Sequence, residues 1–432
     1  MKAEKKEELF KEFLSKNKVL LVDKSSASRR RLVKTLVDMG AKRQQISSVA
    51  HYAEAMEVID KEKPKLVLSD FSIIGGSGFD LFKKYRELEK KLDDTTLVLV
   101  TSNISQSAVA KAAEEDVDSF IIKPYTVKSL QKSLITAVIN KLYPSEYMKL
   151  IDQGKEQMFS GNYEEALNIF NSAITKSKKP SLALFYHGQT KYFLEQSEEA
   201  KGDYKKGLEI NSIHFKCQVG LYELFVKQER YFEAYDVVRN IAKYFPANPD
   251  RLKEVIRLAV RTGNFEHMEE YYELFTDLEE RPEDVTNFMC SGLFVAGKFY
   301  FQDNQKTAAR EIFEKVAISC GGMTKFLKGM IKELVKYNFY TESKSMLKRF
   351  PNDNENVADY MISSYLANLD EMNTTERISR GMELFNNGHK DPLAADYLIK
   401  ALRKDGNKKA DEYLEEAQFL WPDDFPSEPK AA

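Results

Sequence analysis

The chain has 432 residues, of which 43% are hydrophobic and 31% charged, proportions typical of a folded, helix-rich protein and not of a disordered one. It carries 65 basic and 67 acidic residues and no concentrated positive region, so we expect no nucleic acid among its partners. No apolar run reaches the roughly 18 residues needed to cross a bilayer, and the N-terminus lacks the apolar core of a secretory signal. Cys217, Cys290 and Cys320 are too widely spaced for a disulfide framework, which favours a reducing, cytoplasmic location.

Residues 1–16 predict a short amphipathic helix, because Leu9, Phe10, Phe13 and Leu14 fall on one helical face. We expect this face to dock on the domain that follows, and the alternative is pairing between protomers of a homodimer. A membrane-surface role is disfavoured because the polar face is as acidic as it is basic.

Residues 17–141 alternate short β-branched runs with helical patterns. The strands are predicted at 18–22, beside 48–49, and at 65–69, 96–100 and 119–123; the helices at 26–39, 52–62, 78–91, 106–115 and 126–141. This alternation predicts an α/β fold with a doubly wound, five-stranded parallel sheet. Asp23, Asp70, Thr101 and Lys123 all stand at strand ends, and sheets of this kind place their ligand sites outside the carboxyl ends of the strands. We therefore expect these four side chains to converge.

After Pro144 the strand patterns stop, and the remaining chain predicts helices only. Small residues return every 34 positions at Ala166, Ala200 and Ala234, and the period resumes at Ala309 after a seven-residue slip. A repeat of this length predicts a solenoid of helical hairpins, each of which buries its apolar face against its neighbours. We expect about seven hairpins across 145–425, with a poor fit over 355–390 and a disordered tail at 426–432.

Both regions resemble known families. The segments VDKSSASRR, LVLSDFSIIGGSGFDL, LVLVTS and FIIKPY occur in that order, and through them residues 17–141 resemble the CheY-like receiver domain of two-component response regulators. Residues 145–425 resemble TPR repeats, most closely in the first two units, where Gly154, Ala166 and Phe170 match in one and Gly188, Ala200 and Tyr204 in the next.

The receiver resemblance implies a phosphoryl-transfer chemistry. Asp70 would accept a phosphoryl group from a sensor histidine kinase or a phosphotransfer protein, with Thr101 donating a hydroxyl hydrogen bond and Lys123 supplying a positive charge. Phe120 stands where receivers carry an aromatic switch residue that moves together with Thr101. Lys123–Pro124 would be a cis peptide bond.

The resemblance also implies a Mg²⁺ site made by Asp23, Asp70 and the backbone carbonyl of Ser72. One departure weakens it, because receivers have two adjacent acids after the first strand and this chain has Asp23-Lys24. Two interpretations stay open. In the first, Lys24 points away and Mg²⁺ binds weakly, so that phosphorylation proceeds at reduced efficiency; in the second, the domain is a pseudo-receiver held in one state.

Other patterns favour packing over chemistry. The spacing of Gly292, Gly297 and Lys298 imitates a phosphate loop, but Phe299 replaces the hydroxyl residue and no strand precedes it. Gly75 to Gly78 predict a flexible loop, with Gly78 at the bend that begins the next helix. The five histidines lack metal-site spacing; they are His51, His187, His214, His267 and His389.

These observations predict a response regulator without DNA-binding output, in which phosphorylation of Asp70 modulates how the helical array contacts a protein or peptide. Beyond its own phosphoryl transfer, we expect no enzyme activity. The main alternative is a scaffold or adaptor whose receiver is phosphorylation-independent. An enzyme hidden in 350–392 is a weaker alternative, since no acid, base and nucleophile cluster there.

Overall fold

The computed structural model describes residues 2–88, 95–102, 117–244, 249–278, 281–351 and 358–426. The chain forms two compact units, Met1–Leu258 and Ala259–Ala432. The first unit includes both the predicted sheet and the first hairpins of the array, so the predicted boundaries at 17–141 and 145–425 stay a prediction. The predicted helix 106–115 and nearly all of the predicted tail 426–432 lie outside the described residues.

The first third of the chain contains the sheet and its helices. In chain order these elements are α1 (Ala3–Lys16), β1 (Val19–Val22), α2 (Ser26–Asp38), β2 (Ile46–Val49), α3 (Tyr52–Glu62), β3 (Leu66–Ser69), β4 (Ser72–Ile73), β5 (Gly76–Ser77), α4 (Gly78–Leu88), β6 (Thr96–Thr101), β7 (Ser119–Ile122) and α5 (Val127–Leu142). The predicted strands and the described helices are confirmed to within a few residues.

Five parallel strands form the sheet in the order β2-β1-β3-β6-β7. Successive residues of a strand point to opposite faces of the sheet, and helices cover both faces. Leu21 joins an apolar core with α1, α2 and α5, whereas Leu20 joins a second core with α3 and α4. This is the predicted doubly wound arrangement.

The N-terminal helix docks on this domain, as its amphipathic pattern predicts. Phe10, Phe13 and Leu14 are buried and belong to the same apolar core as α5, against which α1 packs. Gln45 Nε2 donates a 2.9 Å hydrogen bond to the carbonyl of Ser15, which ties the end of α1 to the start of β2.

The rest of the described chain is helical. Its elements are α6 (Glu146–Phe159), α7 (Tyr163–Lys176), α8 (Ser181–Phe193), α9 (Ser197–Ile210), α10 (Phe215–Lys227), α11 (Tyr231–Tyr244), α12 (Pro249–Thr262), α13 (Met268–Thr276), α14 (Glu283–Gln302), α15 (Lys306–Ser319), α16 (Thr324–Lys336), α17 (Tyr340–Leu347), α18 (Ala358–Ala367), α19 (Thr374–Asn386), α20 (Pro392–Lys404) and α21 (Lys409–Leu420). The described residues after Pro144 contain these sixteen helices, and the number of about seven hairpins stays a prediction. The poorly fitting stretch is itself helical, since it contains α18 and α19.

Small residues at the repeat positions let the two helices of a hairpin approach closely. Gly154 lies directly against the Phe170 ring, Gly188 against Tyr204, and in each case an added Cβ would overlap the ring. Gly297 lies in the same way against Phe313, inside the 20-residue helix α14. The resemblance of this segment to a phosphate loop is therefore explained by hairpin packing, as predicted.

The slip in the period has a local cause. Helix α14 has 20 residues where the corresponding first helix α16 has 13, and the seven additional residues match the slip. In α13 Tyr271 is buried, whereas Tyr272 is only half-buried. A 3₁₀ turn at Phe265–His267 precedes α13 and changes the phase of that helix.

One histidine is a partner in a buried polar cluster of the second hairpin. His187 Nδ1 lies 2.7 Å from Asp203 Oδ2, and Lys191 Nζ lies 3.1 Å from the same oxygen. Burial opposes ionisation of Asp203, yet the hydrogen bonds from His187 and Lys191 outweigh it and hold the pKa of this carboxyl below its usual range.

The lowered pKa predicts an acid-dependent stability. A carboxyl whose pKa is lower in the folded state stabilises the fold above its unfolded pKa of about 3.9, and this contribution is lost as the pH falls through the folded value. We expect Asp203→Asn to lower the free energy of unfolding by about 2 kcal/mol at neutral pH, the strength of hydrogen bonds between charged groups, and by progressively less below about pH 4. Urea unfolding at several pH values measures this. Asp236→Asn, an exposed substitution on α11, serves as the control; a deficit for Asp203→Asn that does not change with pH would contradict the argument.

Candidate functional site

The four predicted side chains stand at one edge of the sheet. Asp23 follows β1, Asp70 follows β3, Thr101 ends β6 and Lys123 follows β7. The backbone continues the ladders at these positions, since the Asp70 N–H donates to the Val22 carbonyl at 2.8 Å and the Lys123 N–H to the Thr101 carbonyl at 2.7 Å. Because parallel strands end together, four positions far apart in sequence share one edge.

Lys123 joins the two carboxylates. Its Nζ donates to Asp23 Oδ2 at 2.7 Å and to Asp70 Oδ2 at 2.6 Å. The side chains are 18%, 3% and 11% exposed for Lys123, Asp23 and Asp70, so the ammonium and both carboxylates are largely removed from water. Charges withdrawn from water to this degree are stable only when they are paired, which makes the three groups one electrostatic unit.

The Asp23 carboxylate and the Lys123 ammonium are both held in their ionised forms. Burial opposes ionisation of Asp23, but hydrogen bonds from Lys123, Ser28 and the Ser25 backbone outweigh it and place the pKa of Asp23 below its ordinary value. Burial likewise disfavours the charged form of Lys123, yet hydrogen bonds to Asp23 and Asp70 raise its pKa. The site therefore keeps a fixed cation between two acids.

The N-terminus of α2 holds Asp23 in place. The Ser25 N–H donates to Asp23 Oδ1 at 2.7 Å, and Arg29 Nη1 donates to the Asp23 carbonyl at 2.5 Å. Arg29 is half-buried beside the site, while Arg30 and Arg31 are exposed. Its place in the first turn of the helix that follows Asp23 is the signal that could have indicated the contact.

Lys24 is exposed to solvent. The cation in contact with Asp23 and Asp70 is Lys123 and not Lys24. This placement agrees with the interpretation in which Lys24 points away from the carboxylates.

Thr101 is buried at 1% exposure and is aligned with Ile122 across the β6–β7 ladder. Phe120, two residues before Ile122, is half-buried and packs against the core that contains α3 and α4. The Lys123–Pro124 peptide bond is cis. The switch role of Thr101 and Phe120 stays a prediction.

The segment after Asp70 differs from its prediction as a flexible loop. Ser72–Ile73 and Gly76–Ser77 form a two-stranded antiparallel ladder, and Ile74 bridges to His51. Gly78 begins α4 as predicted, and a Cβ there would overlap the Asp70 carbonyl oxygen and crowd Ser69 Oγ. Gly78 is thus a site residue that the sequence marked only as a bend.

The donor set suits Mg²⁺. This ion prefers hard oxygen ligands and is usually bound by one or two carboxylates together with water and phosphate oxygens. Asp23 and Asp70 supply two carboxylates at one place, and the Ser72 carbonyl would be the third protein ligand. Two carboxylates are fewer than a group of three His, Cys, Asp or Glu side chains, and the described residues contain no such group of three at this edge or at any other place.

Sheet order, acidic cluster and lysine together are those of a receiver domain. Residues 19–135 match the family model of the response regulator receiver domain. The chemotaxis protein CheY homologue of Campylobacter jejuni is 32% identical over 118 residues, which cover 27% of this chain and 88% of that protein. CheY1 of Helicobacter pylori is 29% identical over 118 residues, which cover 27% of this chain and 93% of that protein. The chain belongs to the response regulator receiver family, and receivers of this family bind Mg²⁺ at an acidic pocket and interact with histidine kinases or phosphotransfer proteins.

Two solved structures are similar to the chain over part of its length. CheY4 of Vibrio cholerae is 24% identical, with a TM-score of 0.26 and coverage of 28% of this chain and 98% of that one. A tetratricopeptide repeat protein from Parabacteroides merdae is 12% identical, with a TM-score of 0.30 and coverage of 59% and 98%. Among the described residues, none of the helices combines the length and the apolar composition that crossing a bilayer requires.

Proposed function

We propose that the protein is a cytoplasmic response regulator in which phosphorylation of Asp70 changes how the helical array contacts another protein. The observation that carries the proposal is the Asp23–Lys123–Asp70 cluster, with hydrogen bonds of 2.7 and 2.6 Å at the carboxyl edge of the sheet. Phosphoryl transfer depends on positioning and on cations that neutralise the transferred group, and this cluster supplies the acceptor carboxylate and one such cation. Mg²⁺ on Asp23, Asp70 and the Ser72 carbonyl would supply the second.

The array supports an output by protein contact. In its first three hairpins α7 contacts α8 and α9 contacts α10, and arrays of such hairpins bind peptides and helices. The chain passes from α5 to α6 through only three residues, Tyr143 to Ser145. A change in the packing of β7 and α5 would therefore reach the first hairpin through a short connection.

The test combines phosphorylation with a structural readout on the full-length chain. Acetyl phosphate with Mg²⁺ should give a hydroxylamine-sensitive adduct on Asp70, and beryllofluoride should change amide hydrogen exchange in α5 to α7. Asp70→Ala should remove both effects. An adduct without any exchange change in the array would contradict the proposed coupling.

The second candidate is a phosphorylation-independent scaffold. Lys24 in place of the second acid favours it, as does Lys123, which already pairs with both carboxylates. On this alternative no donor phosphorylates Asp70 at any Mg²⁺ concentration, and Asp70→Ala leaves partner binding unchanged. The same adduct assay separates the two functions.

Restoring the second acid should strengthen the metal site. Lys24→Asp removes one positive charge beside Asp23 and adds a carboxylate, and the affinity of such sites rises with ligand charge. We expect Mg²⁺ to bind roughly tenfold more tightly, with faster formation of the adduct at low Mg²⁺. Isothermal titration with Mg²⁺ measures the affinity. Lys128→Asp, an exposed substitution on α5, is the matched control, and equal affinity in both variants would show that position 24 does not influence the metal.

A further inference from the structure

The turns between the two helices of the first three hairpins form a row, which we name the turn edge. It comprises residues 159–165, 193–199 and 227–233, related by the 34-residue period. The rings of Tyr163 and Phe193 lie 5.9 Å apart, and Lys227 Nζ lies 4.6 Å from the centre of the Tyr192 ring, so neighbouring turns are in contact. The turn edge is therefore one continuous surface.

Exposed phenylalanines stand on this surface. Phe159 is 75% exposed and Phe193 is 44% exposed, and each is the last residue of the first helix of its hairpin. Neither ring is needed inside a hairpin, because Phe170 and Tyr204 fill those interiors. Large apolar side chains left in water at equivalent positions of two neighbouring repeats are typical of a contact surface.

The same two turns are strongly acidic. Segments 159–165 and 193–199 contain five glutamates and no lysine or arginine; all five are exposed. They are Glu164, Glu165, Glu195, Glu198 and Glu199. Glu198 pairs with Lys201, and within the described residues the other four form no ion pair. A partner for this surface must therefore be basic, because charge complementarity selects against acidic ones.

The third hairpin shows how a cation is bound here. Lys227 occupies the position that Phe159 and Phe193 hold in the first two hairpins, and its ammonium lies over the Tyr192 ring. Cations within about 6 Å of an aromatic ring centre are attracted by its negative face. The third turn contains two basic residues, Lys227 and Arg230, and the acidic surface stops there. The candidate binding site therefore covers the first two hairpins only.

The spacing fits a helix. The first helices of successive hairpins, α6 and α8, pack directly against each other, which sets their axes about 8–10 Å apart. Seven residues of an α-helix rise about 10.5 Å, so apolar residues seven positions apart would meet Phe159 and Phe193 together. We propose that the turn edge of the first two hairpins binds a basic amphipathic helix of a partner protein. This proposal rests on the protein-binding role proposed for the array and names the chemistry of the partner.

A designed peptide tests the proposal on the full-length chain. The probe is a fluorescein-labelled helix with leucine at every seventh position and lysine or arginine elsewhere on that face, and fluorescence anisotropy measures its binding. Phe159→Ser combined with Phe193→Ser should weaken binding about tenfold or more, since buried aromatic anchors dominate such contacts. Glu164→Gln combined with Glu199→Gln should weaken it less and reduce its dependence on salt.

Two controls make the result specific. Phe419→Ser alters an 85% exposed phenylalanine on α21 and should leave binding unchanged. A peptide of the same composition with shuffled leucines should bind more weakly than the designed one. Equal binding by the Phe159/Phe193 and Phe419 variants, or no binding of the designed peptide, overturns the proposal. The proposal is also overturned if sedimentation shows that the wild-type chain self-associates and the Phe159/Phe193 variant does not, because a second copy would then occupy the turn edge. If the wild-type chain forms the Asp70 adduct but does not bind the designed peptide, the docking surface is rejected and the proposed phosphorylation is not.

Discussion

Asp70→Asn is expected to abolish the phosphoryl adduct that acetyl phosphate and Mg²⁺ form on the wild-type chain. Asparagine keeps the shape of the side chain but removes the nucleophilic oxygen pair, and among the described residues Asp23 is the other carboxylate bonded to Lys123. Asp23, the remaining acid of the cluster, is held in place by two hydrogen bonds. The Ser25 N–H donates to its carboxylate, and Arg29 donates to its backbone carbonyl. Intact-protein mass spectrometry and the sensitivity of the adduct to hydroxylamine measure the loss.

The control for this substitution is Asp60→Asn, an exposed change on α3 that should leave the adduct unchanged. Persistence of an adduct in Asp70→Asn would place the acceptor elsewhere. Absence of any adduct in the wild type, with Mg²⁺ in excess, would instead support the scaffold function.

Gly154→Ala should destabilise the array by about 1–3 kcal/mol, although alanine is the better helix former. The new methyl group would overlap the Phe170 ring, and a closely packed hairpin accommodates added volume only by displacing that ring. The helix-propensity gain of about 1 kcal/mol does not compensate. Urea unfolding followed by far-ultraviolet circular dichroism measures the difference.

Gly202→Ala is the matched substitution with the opposite expected sign. Gly202 lies within α9, and an added Cβ there would meet nothing within 4 Å. We expect a gain of about 0.5–1 kcal/mol from reduced backbone entropy in the unfolded chain. Destabilisation by both substitutions would show that the overlap at Gly154 is not the cause of its effect.

The sequence predicted the sheet and the convergence of its polar ends because both follow from local patterns. Buried parallel strands such as KVLLV are continuous apolar runs, and parallel strands necessarily end together. The hairpin phase was equally visible, since Gly154 and Gly297 repeat at fixed offsets from Phe170 and Phe313.

Other features depended on three-dimensional detail that no local pattern contains. That Lys123 bonds Asp23 and Asp70 at once depends on the direction of a long side chain across three strands. The ladder at Ser72–Ile73 is only two residues long, which is shorter than any periodicity can detect. The buried pair of His187 and Asp203 requires the crossing geometry of α8 and α9.

The number of hairpins stays a prediction for a related reason. Small residues recur regularly only where both helices of a pair have ordinary lengths, and α17 has eight residues while α14 has 20. In α17 the buried residues are Ser343 and Met346. Unequal helix lengths shift the positions at which the repeat residues recur.

Helix α1 has a practical consequence for where the receiver module begins. The family match starts at residue 19, yet Phe10, Phe13 and Leu14 complete the apolar core beside α5. A recombinant fragment cut at the family boundary would lose Phe10, Phe13 and Leu14 from this core and would expose to water the part of α5 against which α1 packs. Transplanting this domain, or fusing it to a different output, therefore requires the first sixteen residues to travel with it.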